Sequence, residues 1–406
     1  MKVLLLTDMP PCKNYTAGLV LDQLCRFLPR GSVACFAVVN PHLDVKISDD
    51  LDWIPTRYYK YYMPREKWPL KSVRWGKTAS FANESLNSLF GIKKVISKAV
   101  EFGREFGATA VWCVLEGQIM IQLASPVAKQ LNIPLLTQVW DPPGWWLREY
   151  KVDGVSTRRI LNEFSMVQRE STGCAVASWA MAERYNHDYG TRVVPVIPSL
   201  PGEWAVTPAQ ALNPGDNLVI GMAGQIYATQ EWTSLISALD SVGWQINGRN
   251  VIIRLLGRKA DIYASGKMRV EFYGWTPQKE TIKLMSEADI LYCPYWFDPV
   301  FKEEASLSFP SKLTTYLAAG RPVLFHGPEY ASPARFLDEH EAGVFCHSLG
   351  TDDLVSALTR LVSDKNLYSK VARNGLTAFN QYLTLDSMRK SFAEFLKVDE
   401  NFLLPV

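Results

Sequence analysis

The chain contains no CxxC pair; its seven cysteines (12, 25, 35, 113, 174, 293 and 346) stand singly. An odd number of scattered thiols excludes a zinc ribbon and a disulfide framework, and fits reduced cysteines in a cytoplasmic protein. No apolar run approaches the roughly 18–20 residues of a transmembrane helix. Met1-Lys2 leads only into Val3–Leu6 before Thr7-Asp8, too few apolar residues for a signal peptide. A dominant charge sign is missing as well: Lys plus Arg total 43 against 41 for Asp plus Glu, a net charge of +2. A general nucleic-acid binder carries a much larger basic excess. There are no internal repeats and no low-complexity segments. Only five histidines are present (42, 187, 326, 340 and 347). No GxGxxG follows the first strand-like segment, which speaks against a dinucleotide dehydrogenase.

What is present is ordinary globular composition, 48% hydrophobic and 21% charged over 406 residues, enough for two domains of roughly 100–200 residues. Lys2–Leu6, Val33–Val39, Ala108–Leu115, Pro134–Val139 and Gly173–Ala177 are short apolar runs, of the kind that form buried parallel strands. Between the first two lies a helical spacing over 17–28, with apolar positions Leu19, Leu21, Leu24, Phe27 and Leu28. From Pro198 the periodicity stops among prolines and glycines, and residues 201–217 are assigned as an interdomain linker. A second alternating series follows. Its strands are Leu218–Ala223, Val251–Leu256, Arg269–Tyr273, Asp289–Cys293 and Pro322–Phe325, and its helices span 231–241, 278–287 and 311–319. The expectation is α/β: two Rossmann-like, doubly wound parallel sheets, 1–200 and 218–382, facing across a cleft. The closing helix over 383–406 carries Met388, Phe392 and Phe395 on one face and is expected to cross back to the N-terminal domain.

The segment from Ser308 to Leu324 (SFPSKLTTYLAAGRPVL) resembles the donor-site helix of GT-B glycosyltransferases, in particular the large retaining GT4-like family of bacterial sugar transferases. Gly221-Met222-Ala223-Gly224-Gln225, Gly274-Trp275 and Ala288-Asp289-Ile290 through Pro294 follow the same family's order of elements. The resemblance is clear over most of 218–380 and looser in the N-terminal half. There it rests on Thr7–Gly18, the strand ending at Glu116, Trp140-Asp141-Pro142-Pro143 and Val196–Pro201. It implies a nucleotide-sugar donor bound in the C-terminal domain by Gly224, Gln225, Gln230, Arg258, Trp275, Phe309, Ser311, Lys312 and Thr315, with Gly18 contributing from the N-terminal domain. A helix opening near Ser311 offers unpaired N–H groups and a positive dipole end to a diphosphate, and Lys312 adds a formal charge. A glycine at 224 lets backbone approach a ligand. Taken singly, Pro310-Ser311 reads equally as a plain helix start and Gly320-Arg321-Pro322 as a plain helix end.

The departures from the family matter as much. The family commonly places two glutamates eight residues apart on this loop and helix; here those positions hold Leu307 and Thr315. Its usual Arg and Lys after the first glycine turn are here Gln225 and Gln230, and Arg258, Lys259 or Lys312 would have to replace their charge. Glu303-Glu304 is a second source of the missing carboxylate. The family histidine of the N-terminal domain is absent. Glu116 and Asp141 are the catalytic candidates in its place, with a helix-start carboxylate and a turn aspartate as their plainer readings. No metal and no cofactor are expected. Asp50-Leu51-Asp52 reads as a solvated acidic patch.

Residues 57–77 carry seven cations (Arg57, Lys60, Arg65, Lys67, Lys71, Arg74 and Lys77) interleaved with tyrosines and tryptophans against one acid, Glu66. That composition suits a peripheral membrane contact, an acceptor held by stacking, or an aromatic surface loop. The leading expectation is a retaining, metal-independent hexosyltransferase acting on a glycan or lipid-linked acceptor in bacterial surface polysaccharide assembly. It would be cytoplasmic, with the inner membrane face as an alternative location, and would bind no nucleic acid. Its rivals are a glycosyltransferase-like binding or assembly component without catalysis and a sugar-nucleotide epimerase.

Overall fold

The computed structural model describes residues 1–61, 91–257 and 268–405. The chain divides into two compact units, Met1–Ile197 with Arg389–Val406, and Pro198–Met388.

Among the described residues of the first unit, seven strands form one parallel sheet. They are β1 (Val3–Thr7), β2 (Val33–Val39), β3 (Thr56–Lys60), β4 (Ala110–Val114), β5 (Leu135–Val139), β6 (Gly173–Val176) and β7 (Val193–Pro195). Their order is β3-β2-β1-β4-β5-β6-β7. β1, β2, β4 and β5 are buried along their whole length, which is why they lack the apolar/polar alternation of a one-sided sheet. β3 went unrecognised: Thr-Arg-Tyr-Tyr-Lys is half-exposed, as an edge strand is, and reads as a basic aromatic segment. From residue 62 the aromatic-basic stretch lies outside the described residues. The C-terminal segment adds Phe392 and Phe395 against Trp112, with ring centroids 5.2 and 6.5 Å away. Arg192 donates to the carbonyls of Glu394 and Phe395.

The second unit holds β8 (Asn217–Ala223), β9 (Gln245–Ile246), β10 (Arg249–Leu256), β11 (Val270–Gly274), β12 (Ile290–Pro294), β13 (Val323–His326) and β14 (Gly343–Cys346). The parallel order is β11-β10-β8-β12-β13-β14, and β9 pairs antiparallel with β10. The proline-rich stretch assigned as linker belongs to this unit. Leu200 N–H donates to Leu383 O, Val206 N–H to Ala318 O and Ala209 N–H to Gly320 O. These bonds are made by backbone, so they leave no apolar period in the sequence. Gly320 (φ +65°) closes helix Ser311–Ala318, and a Cβ there would lie 2.7 Å from Val206 O. The glycine is required both by the turn and by the strap packed on it.

Candidate functional site

Parallel strands deliver the loops after their carboxyl ends to one edge of the sheet, where α/β folds bind ligands. In the first unit three adjacent strands, β1, β4 and β5, run there in register: Leu6 lies beside Cys113, and Val114 beside Gln138. Each is followed within two residues by a carboxylate: Asp8, Glu116 and Asp141. Gly117, at φ +81°, turns the chain into helix Gln118–Leu131 immediately after Glu116. Burial pushes Glu116 well above the usual carboxylate range, and the charges of Asp141 and then Asp8 push it further. The three groups thus form one electrostatic cluster that favours a protonated Glu116. On either side of Asp141, Trp140 Nε1 and Trp146 Nε1 are buried without a hydrogen-bond partner. An unmet buried donor costs about 1–3 kcal/mol, which a hydroxyl-bearing ligand would offset.

The corresponding edge of the second unit carries glycines in place of acids. Gly224, Gly257 and Gly274 follow or end β8, β10 and β11 at φ +85°, +125° and +70°. The turns are stitched together, Gly224 N–H to Leu256 O at 2.8 Å and Gly257 N–H to Gly274 O at 2.7 Å. A Cβ on Gly257 would stand 2.9 Å from Gly224 O, so no side chain fits between them. Helix Ser311–Ala318 begins beside this turn with Pro310 before it and no side chain capping it. Its second residue, Lys312, reaches back to Gly224. The ammonium donates to Gln225 O at 3.2 Å and lies 4.4 Å from the centre of the Tyr227 ring. Among the described residues Lys312 makes no ion pair with a carboxylate. Loss of solvent around it lowers its pKa to about 8, with Cys293 opposing the shift. A cation held without a counter-ion at a helix start that no side chain caps is chemically prepared for an anion.

Tyr227 is fixed from behind by Trp296, whose ring lies 4.6 Å away and whose indole donates to Tyr227 O. Tyr316 O–H accepts from Ala223 N–H at 2.8 Å, binding the end of β8 to the same helix.

No protein-family model matches the chain, and neither does any curated protein sequence. Solved structures do match its fold. Anabaena HepE in complex with UDP aligns with a TM-score of 0.64 at 13% identity, covering 98% of this chain and 100% of that one. Sucrose-phosphate synthase from Thermosynechococcus elongatus aligns at 0.66 and 12%, covering 98% of each chain. The trehalose 6-phosphate synthase of Burkholderia multivorans does so at 0.64 and 10%, again covering 98% of each. The fold is GT-B.

On this GT-B frame the structure brings Gly224, Gln225 and Lys312 together, and gathers Glu116 with Asp141. Ser311 is exposed at the helix start, and Thr315 is buried one turn further on. Phe309 is buried edge-on against Phe336. Gln230 is exposed on helix Thr229–Ser241, and among the described residues it makes no hydrogen bond to the Lys312 cluster. Trp275 projects just past β11, 83% exposed. Gly18 lies inside helix Thr16–Arg26, where a Cβ would run into Cys12 Sγ; helix packing accounts for that glycine. Arg258 falls outside the described residues. Asp50 is paired with Lys13 and Arg26, at 2.7 and 2.8 Å, which holds its carboxyl at about 2. Among the described residues no group of His, Cys, Asp or Glu side chains is arranged to hold a metal ion. Sequence reasoning missed Asp8 and Tyr227. Asp8 had a signal, since it ends the first strand at the edge where Glu116 ends the fourth. Tyr227 had none, because a ring under a distant lysine leaves no spacing to read.

Proposed function

We propose that the chain is a glycosyltransferase that takes a nucleotide-sugar donor at the Gly224–Lys312 edge of its second unit. The observation that carries this reading is Lys312, an ammonium with no carboxylate partner among the described residues, set over a turn in which no side chain fits. A diphosphate supplies the missing charge and accepts from the N–H groups of the helix start. HepE has been solved with UDP, with UDP and glucose, and with UDP-glucose, which supports a diphosphate-linked sugar as the ligand class.

The reading assigns the first unit, with Glu116, Asp141 and Asp8, to the acceptor side. A protonated Glu116 donates a hydrogen bond to a sugar hydroxyl, while Asp141 accepts one from the acceptor. The reaction proceeds with retention: the acceptor oxygen attacks on the face from which the phosphate departs, and the phosphate oxygens take its proton. No metal is needed in this scheme, because Lys312 and backbone N–H groups stabilise the leaving diphosphate. The acceptor is a glycan or lipid-linked glycan of the bacterial surface, which places the protein in the cytoplasm or at the inner membrane face.

A second reading, a binding or assembly component without catalysis, is favoured by one observation: Leu307 and the buried Thr315 stand where the resemblance leads one to expect carboxylates. A thermal-shift panel of UDP, GDP, ADP, dTDP and CDP tests the first reading. Ligand at about 100 times its Kd stabilises the folded state by roughly 2.7 kcal/mol. A shift with one base identifies the donor class, and no shift with any of the five removes the nucleotide-sugar reading.

A further inference from the structure

The face of the first unit formed by helix Gly154–Glu170 is not absorbed by either edge. One side of this helix is core, with Ile160, Phe164 and Val167 buried. The other exposes large apolar side chains: Val155 is 69%, Met166 55% and Leu161 36% exposed, and Tyr150 just before the helix is 43%. Positions 155, 158, 162, 166 and 169 fall on one stripe at 3.6-residue spacing. They read Val155, Arg158, Asn162, Met166 and Arg169, with Lys151 in the turn before the helix, so cations and apolar groups are interleaved along one line.

Lys151, Arg158 and Arg169 have no ion-pair partner among the described residues, whereas most acids nearby are engaged. Asp153 caps the helix through the N–H groups of Val155 and Ser156. Glu163 faces Arg159 at 3.8 Å and Gln122, and Glu170 binds Lys129 at 2.7 Å. Glu149 is the exposed acid at the rim. A groove of about 700 Å³ runs along the stripe between Val155, Arg158 and Met166.

From this alternation we infer that the stripe docks the protein on an anionic lipid bilayer. A flat anionic surface meets both chemistries at once. Val155 and Met166 enter the headgroup boundary, while the arginines lay their aliphatic stems beside them and keep their guanidinium groups on lipid phosphates. A second copy of the chain fits poorly, because a two-fold contact sets this row of unpaired cations against itself. The inference does not depend on the nucleotide-sugar reading.

The test is co-sedimentation of the full chain with vesicles of phosphatidylcholine alone and of phosphatidylcholine with phosphatidylglycerol. Binding is expected only to the anionic vesicles and is expected to fall with salt. The double charge reversal Arg158→Glu with Arg169→Glu should lower partitioning by more than tenfold, at roughly fivefold per cation lost. Val155→Asp with Met166→Asp should do the same while circular dichroism and nucleotide-induced thermal shifts stay unchanged. Arg360→Glu with Lys283→Glu, exposed on the second unit, should change little. Binding that is absent from anionic vesicles, or equal in wild type and both stripe variants, overturns the inference. So does a concentration-dependent dimer that Met166→Asp abolishes, which would assign the face to self-association.

Discussion

The carboxyl edges of the two sheets are built alike and charged oppositely. In the first unit β1, β4 and β5 each lead into a carboxylate, and burial, then the charges of Asp141 and Asp8, raise Glu116. In the second, β8, β10 and β11 end in glycines at positive φ, and the charge comes from Lys312 on a neighbouring helix. The scaffold therefore decides where a site lies, while the loop residues decide what it binds. Under the proposed function, an edge that repels anions and an edge that lacks one serve different halves of the transfer.

That contrast can be broken in several ways. The largest effect is expected for Lys312→Ala, which removes a charge-assisted contact and should weaken nucleoside-diphosphate binding by roughly 10–100-fold in calorimetry. An unchanged affinity would place the phosphate elsewhere. Gly257→Ala should come next: its Cβ meets Gly224 O, and strain of about 1–3 kcal/mol should appear as reduced denaturant stability together with weaker nucleotide binding. Full stability in that variant would show that the glycine pair is not needed. Tyr227→Leu removes the ring beneath the ammonium and should weaken binding by roughly threefold, the size of a modest cation–π contact. If instead the loss matches that of Lys312→Ala, Tyr227 touches the ligand itself.

The smallest effect sharpens the acidic side. A carboxyl whose folded pKa is raised holds more protons in the folded than in the unfolded state, so stability is lost as pH rises through the folded value. Glu116→Gln should therefore gain stability relative to wild type as pH rises above the ordinary carboxylate range. The expected rise in Tm is a few degrees, at roughly 2–4 °C per kcal/mol for a domain of this size. Nucleotide binding should not change. A lower Tm in the glutamine variant at pH 8 would mean that the ionised carboxylate is the stabilised form.

Much of this was legible in the residues. Runs such as Val3–Leu6 and Leu218–Ala223 announced buried strands because a strand covered on both faces needs no alternation. Lys312 and Gly224 were singled out through the family resemblance, and the structure brings the two together. Other features were written through space. Val206 and Ala209 are held by carbonyls of Ala318 and Gly320, and backbone bonds carry no side-chain signature. β3 was obscured by its own edge position, where exposure allows arginine and tyrosine. The Tyr227 ring and the Gln225 carbonyl that meet Lys312 lie far from it in sequence.

The central claim is that Lys312 is the anion-binding cation of the second unit. Its most direct test is the Kd of the panel-selected nucleoside diphosphate, measured by calorimetry from pH 7 to pH 9.5 for wild type and Lys312→Arg. Wild-type affinity should fall once pH exceeds about 8, where Lys312 loses its proton, approaching roughly tenfold per pH unit for a single linked proton. The arginine variant, charged throughout, should bind with little dependence on pH. A flat wild-type profile, or the same slope in both proteins, would contradict the assignment.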